Sequence, residues 1–270
     1  MKPKVLVLTG YGINCDEETA FAFQLNGAES EIVHINDLIS GAKKLADFQI
    51  LAFPGGFSYG DDTGSGKALA NKIQANLWDD LMKFIDSDKL IIGICNGFQV
   101  LASLGLFPTK ETGYGKREIA LKHNQSNRFQ CRWVDLSASS KKCVFTKGVG
   151  NLSLPVAHGE GLFFAQSDTL NALNKNDQVV LRYTKEGKGA GGEFPFNPNG
   201  SLEDIAAVSD PTGRIFGTMP HPERAIFNLN HPDFMLNREK LLREGREVEA
   251  YYEPAIRIFK NAVDYFGPGK

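Results

Sequence analysis

Residues 89–107 read KLIIGICNGFQVLASLGLF: a short apolar run, a cysteine between two glycines, then a second apolar run without breakers. The first run, bounded by glycine, reads as a buried strand, and the second as a helix. Cys95 stands at the junction. Working outward, KVLVLTG (4–10) is a second such strand, followed by the helix-compatible DEETAFAFQLNG. ESEIVHI reads as a strand, QILAFPGG (49–56) as another ending in a Pro-Gly-Gly breaker, and GKALANKIQANLWDDLMKFIDS as the helix leading back to KLIIGIC. Continuous apolar strands separated by helices specify an α/β fold with a mostly parallel central sheet covered by helices on both faces. Ligands of such sheets bind at the carboxyl ends of the strands. TGYG, PGGFSYGDD and GICNG are then expected to line one rim.

The second half differs. FQCRWVDL, LSLPVAHG, QVVLRYT, IAAVSD and RIFGTMPH read as shorter strands, several antiparallel, giving a smaller antiparallel element. GKGAGGEFPFNPNGS (187–201) reads as a mobile connection, as does the glycine-rich 55–66. From about residue 230 the pattern is helical, and its amphipathic character is best after Pro254. This C-terminal extension, about 230–270, either caps the sheet or docks a partner. There is no internal repeat and no clean boundary, so residues 1–270 are expected to form a single domain.

With 30 basic and 32 acidic residues, the formal net charge of −2 does not suggest a nucleic-acid-binding surface. No stretch of eighteen apolar residues occurs, and MKPKVLVLTGYG lacks the features of a secretory leader, so neither membrane nor export is expected. Cys15, Cys95, Cys131 and Cys143 form no CxxC pair and no zinc-spaced His/Cys cluster. No metal site is expected, and a reducing cytoplasmic setting fits.

A cysteine at a tight strand-to-helix turn is held in a strained backbone, with free N–H groups of the following helix directed at the thiol. Such a setting favours a reactive thiolate, and the same N–H groups can hold a developing oxyanion. The plain alternative is a small buried hydrophobe, and Cys15, Cys131 and Cys143 are read that way. A thiolate performing acyl transfer needs a base, and the base an orienting group. Two histidines precede a glutamate by two residues: His158 with Glu160 in VAHGEG, and His221 with Glu223 in MPHPERA. In an extended segment residues i and i+2 project to the same side, so either glutamate could orient its imidazole. His221 is favoured because it follows a strand-like run and lies in a proline-stiffened turn. His34 and His231 read as surface or packing residues, and His123 is unassigned. An acid two residues after the histidine is not the α/β-hydrolase order, in which acid and base lie on distant loops.

The Cys elbow, the H-P-E pair and the P-G-G strand end resemble the class I, triad-type glutamine amidotransferases, whose flavodoxin-like fold is therefore expected. FPGGFSYGDD, GICNGFQVLASLGL, HNQSNRF, PVAHGEG and MPHPERA, in that order, resemble more narrowly the glutaminase subunits of formylglycinamide ribonucleotide amidotransferase. The resemblance implies Cys95 as nucleophile, His221 as general base and acid, and Glu223 as its orienter. It implies an oxyanion hole near Gly56 and Asn96, and glutamine recognition by Gly55, Gln99 and the backbone around His158 and Gly159. It further implies hydrolysis of glutamine through a Cys95 thioester, with ammonia passed to an ATP-dependent synthetase partner in purine biosynthesis. The resemblance leaves room for a small bridging subunit beside that partner. The chain has no phosphate-binding G-x-x-x-x-G-K-[ST] loop, so no cofactor is expected in it, and ATP and Mg²⁺ are expected in the synthetase. Two departures stand out: Thr63-Gly64 occupies the place of a Leu-Arg pair common in short members, and about forty residues follow MPHPERA. An amidotransferase of different acceptor, and an inert amidotransferase-like module, are the competing readings. HGEG and GGFSYGD disfavour the first, and joint retention of Cys95, His221 and Glu223 the second.

Overall fold

The apolar runs become the middle of the sheet because both of their faces are covered. In a computed structural model, which describes residues 2–109 and 113–267, they form β1 (Lys4–Thr9), β3 (Ile50–Phe53), β4 (Leu90–Ile94) and β12 (Ile215–Thr218). Every residue of β3, β4 and β12 is buried, the pattern expected of central parallel strands. Together with β2 (Glu29–His34) they run in the order β2-β1-β3-β4-β12, all parallel, which is the flavodoxin-like winding. The sheet continues antiparallel through β11 (Ile205–Ser209), β9 (Val179–Lys185), β6 (Gln130–Ala138) and β7 (Asn151–His158), with the short β10 (Lys188–Gly189) paired to β9. Strands β5 (Ile119–Lys122) and β8 (Leu162–Ala165) pair separately. The expected parallel sheet with a smaller antiparallel element is thus present.

Helices α1 (Asp16–Leu25), α2 (Ile35–Ile39), α3 (Lys67–Asp86), α4 (Asn96–Ser103) and α5 (Ser167–Lys175) flank the strands. In α3, Leu69, Ile73, Leu77, Leu81 and Phe84 are buried at helical spacing and form its core-facing stripe. No helix among the described residues is long and apolar enough to cross a membrane.

The C-terminal extension is two helices with opposite fates. In α7 (Glu253–Asp264), Ala255, Ile258, Phe259, Ala262 and Val263 are buried, and Phe259 meets Phe23 of α1 edge-on at 5.1 Å. In α6 (Phe234–Arg243) nothing is buried, and Met235, Leu236 and Leu242 face solvent. The break between them follows from Gly245 at φ 69°, where the Arg246 N–H returns to the Leu241 carbonyl and closes α6.

The connection 187–201, expected to be mobile, is instead held by side chains that replace missing backbone partners. Asp204 accepts the N–H groups of Gly191 and Gly192 at 2.7 and 2.8 Å. Asn197 donates to Asp204 and to the Ser201 carbonyl, and accepts from the N–H groups of Gly200 and Ser201. Asn197, Asn199 and Ser201 are buried. The 55–66 loop is likewise tied down at its start, with Phe57 N–H on the Gly12 carbonyl and Tyr59 N–H on the Tyr11 carbonyl.

Candidate active site

The parallel strand ends bring the candidate residues together. Thr218 at the end of β12 is in register with Ile94 at the end of β4. Cys95 and His221 therefore leave neighbouring strands on the same rim, and the Cys95 N–H donates to the Thr218 carbonyl at 2.7 Å. Cys95 has φ 51° and ψ −106°, the strained turn expected between a strand and a helix that starts at once. The flanking glycines explain how the turn closes: a Cβ on Gly97 would lie 1.9 Å from the Phe53 carbonyl oxygen, and one on Gly93 would lie 2.7 Å from the Gly97 carbonyl oxygen. Helix α4 can approach β3 and β4 this closely only without those side chains.

His221 is buried, and its Nδ1 lies 2.5 Å from Glu223 Oε1. The Nδ1–H thus donates to the carboxylate, and Nε2 is left without a hydrogen-bond partner. Burial by itself would strip the proton from this ring. The Glu223 carboxylate first, then the charge of Cys95 and the hydrogen bonds of Cys15 and Cys95, together outweigh burial and hold His221 well above the ordinary imidazole range. The glutamate is not brought back by an extended chain, as the i, i+2 argument supposed. Pro222–Arg224 form a 3₁₀ turn beginning with proline, which folds Glu223 onto the ring.

The second H-x-E pair does not form. The chain bends after His158, and Glu160 faces His123 at 3.6 Å and the Ser65 N–H at 3.3 Å instead. The His158 Nδ1 meets Asn124 Oδ1 at 3.1 Å. Burial, and secondarily the nearby His221 charge, push its pKa down to about 3, so the ring stays neutral. His34 caps α2 by accepting the Asn36 N–H, and His231 packs on Trp133 and Tyr252, as expected for packing residues.

Asn96 and Gln99 continue the site from Cys95. Asn96 Nδ2 donates to Gln99 Oε1 and to Asp61 Oδ1, its Oδ1 accepts the Ser58 N–H, and Gln99 Nε2 donates to the Glu160 carbonyl at 2.5 Å. The Asp61 carboxyl is raised by burial and by Glu160, against hydrogen bonds that lower it. Asp61 and Glu160 line a cavity of about 430 Å³ together with Phe57, Arg128, Phe129 and Gly159. The carbonyls of His158 and Gly159 are both occupied by Asn124. Gly56 pairs with Ile13 in an isolated bridge, and Gly55 accepts the N–H groups of Asn14 and Cys15.

Three residues at the site escaped the sequence reading. Asn124 holds both His158 and the Gly161 N–H; it lies within HNQSNRF, but nothing local marks an amide as a brace. Arg224 and Cys15 meet behind His221, with Arg224 Nη2 2.8 Å from Cys15 Sγ. The available signal for Cys15 was its place just past the β1 end of the glycine-marked rim. Cys15, His221 and Glu223 each offer a donor atom within 4.8 Å of the others, the one such trio found among the described residues. The Arg224 guanidinium already sets a positive charge beside that sulfur.

The model of the CobB/CobQ-like glutamine amidotransferase domain matches residues 2–266. The chain is 56% identical over 265 residues to the phosphoribosylformylglycinamidine synthase subunit PurQ of Methanococcus maripaludis strain S2, covering 98% of this chain and 97% of that one. It is 45% identical to the subunit of the same name from Dehalococcoides mccartyi, covering 98% of each. Among solved structures, PurLQS from Thermotoga maritima has a chain that superposes with a TM-score of 0.71 at 32% identity, over 98% of this chain and 99% of that one.

Proposed function

The chain belongs to the CobB/CobQ-like glutamine amidotransferase family, and from that premise we propose that it is the glutaminase subunit of a phosphoribosylformylglycinamidine synthase. The observation that carries this reading is the buried His221–Glu223 pair set beside the strained Cys95 turn. Residues 1–270 form one amidotransferase domain in this reading, acting in the cytoplasm.

The Cys95 thiolate attacks the side-chain amide carbon of glutamine, and the C–S bond forms as the carbonyl π pair moves onto oxygen. The backbone N–H groups at Gly56 and Asn96, the latter heading α4, receive that oxyanion. His221, charged at Nε2 because Glu223 supports its Nδ1, gives that proton to the departing amine, and the C–N bond breaks to release ammonia. The γ-glutamyl thioester is then attacked by water, whose proton passes to Nε2, and glutamate leaves with Cys95 regenerated. Gln99, Gly55 and the backbone at His158 and Gly159 shape the glutamine pocket. Since the Asn124 brace occupies the carbonyls of His158 and Gly159, their part is to hold the wall in place. Ammonia passes to a synthetase partner that holds ATP and Mg²⁺, with a small bridging subunit in the same complex.

The test is Cys95→Ala in the complex reconstituted with its synthetase. Glutamine-dependent synthesis should disappear while synthesis from added ammonium salt persists. Normal glutamine-dependent turnover in this variant would overturn the reading, and loss of both activities would show that Cys95 supports the assembly rather than the chemistry.

A further inference from the structure

Cys15 is completely buried, directly before α1 and behind the proposed catalytic pair. Its sulfur lies between two polar groups: Arg224 Nη2 donates to it at 2.8 Å, and the thiol faces Asn14 Oδ1 at 3.2 Å. We propose that Cys15 is a positioning residue for the glutaminase reaction, its thiol fixing the edge of the His221 imidazole so that Nδ1 stays on Glu223 and Nε2 faces Cys95. This rests on the reading of Cys95 and His221 given above and extends it to a residue outside the triad.

Three features of the packing support the assignment. A Cβ at Gly55 would lie 2.8 Å from His221 Cε1 and 3.1 Å from Cys15 Sγ, so ring and sulfur meet over the space that this glycine leaves. The sulfur itself is anchored from the backbone. The N–H groups of Asn14 and Cys15 both donate to the Gly55 carbonyl, and the Cys15 carbonyl accepts the Thr19 N–H and hydroxyl. One short segment therefore fixes the Gly55–Gly56 strand end and the back of the histidine together. Lastly, Arg224 is shared, with its Nε 3.9 Å from both Glu223 Oε1 and Glu18 Oε1 while its Nη2 rests on the sulfur. With Nη2 held on the thiol, the guanidinium comes no closer than 3.9 Å to the carboxylate oxygen that supports His221.

The thiol is suited to holding rather than to attacking. Burial is the largest influence on it and pushes its pKa up, with Glu223 adding to that against His221 and Arg224. A neutral S–H can donate to Asn14 while its lone pairs accept from Arg224. An alanine would leave a gap beside the ring and release the guanidinium toward Glu223. A serine keeps both hydrogen-bonding functions on a smaller atom.

The experiment compares Cys15→Ala and Cys15→Ser with Cys143→Ala, a buried cysteine remote from the rim, in the reconstituted complex. Melting temperature is followed for all three. Misplacing a catalytic group by about an ångström costs up to roughly 100-fold in rate, so Cys15→Ala should lower kcat for glutamine hydrolysis by about 10- to 100-fold. KM should change by less than about threefold, because the substrate pocket is untouched. Cys15→Ser should recover most of the loss, and iodoacetamide should label Cys95 more slowly in Cys15→Ala than in the wild type. A Cys15→Ala kcat within twofold of wild type overturns the proposal. So does a loss shared equally with Cys143→Ala and tracking melting temperature. If Cys95→Ala retained glutamine hydrolysis, the glutaminase reading itself would fall; a dead Cys95→Ala beside a normal Cys15→Ala removes only the role of Cys15.

Discussion

His158 ends strand β7 and His221 follows strand β12, and each is buried, has an unpartnered Nε2 and precedes a glutamate by two residues. Their partners set them apart. His221 has a carboxylate on Nδ1, and the charged ring is favoured despite its burial. His158 has an amide oxygen on Nδ1, and the neutral ring is favoured. A carboxylate repays the desolvation of an imidazolium, whereas an amide dipole cannot. The same three-residue pattern therefore yields a proton donor on one strand end and a neutral wall on the other.

The sharpest way to break this comparison is to remove each ring. General acid–base catalysis is worth about 10²- to 10⁴-fold, and His221→Ala should lose that much in kcat for glutamine hydrolysis. His158→Ala should act mainly on KM and on stability; the larger kcat loss in His158→Ala would exchange the two roles. Next come the acids. Glu223→Gln should reduce kcat by at least roughly 100-fold, the lower end of the general acid–base range, since the tautomer and charge of His221 are no longer supported. Glu160→Gln should cost at least tenfold less, because its carboxylate touches neither ring. Equal losses would mean that the His221–Glu223 contact does not serve the chemistry.

The smallest effect lies in the pH dependence of thermal unfolding. His158 is depressed in the folded state, so between pH 6.5 and about 3 the unfolded chain binds the proton that the folded chain refuses. Its contribution to stability is lost as pH falls through that window. His221 is raised, so its contribution is complete below pH 6.5 and is lost as pH rises above it. Melting curves of His158→Gln and His221→Gln across pH should differ from wild type in those separate windows, the first on the acid side and the second on the alkaline side. Exchanged windows would refute the assigned protonation states.

Much of the molecule was legible in its residues. LIIGI and IFGT are apolar throughout because central parallel strands are covered on both faces, and that property is visible without coordinates. Gly93 and Gly97 around Cys95 marked a turn for the same local reason. The histidine choice was less accessible. It depended on whether the chain after each ring stayed extended, and neither did: Pro222 opened a 3₁₀ turn toward the ring, while the bend at 159–160 turned Glu160 away. The 187–201 connection was misread because glycine, proline and asparagine also describe a loop tied by its own side chains, as Asp204 and Asn197 tie this one.

The sequence by itself determined the α/β order and the strained Cys95 elbow, since each depends on residues within a few positions of one another. It offered His221–Glu223 and His158–Glu160 alike, and the turns after each histidine decided between them. Tertiary structure alone decided that Thr218 would lie beside Ile94, that Asn124 would brace His158, and that Cys15 would meet Arg224 across 209 residues of chain. Those contacts depend on strand register and on the space left at Gly55. Both arise only when the sheet has closed and brought distant strand ends to one rim.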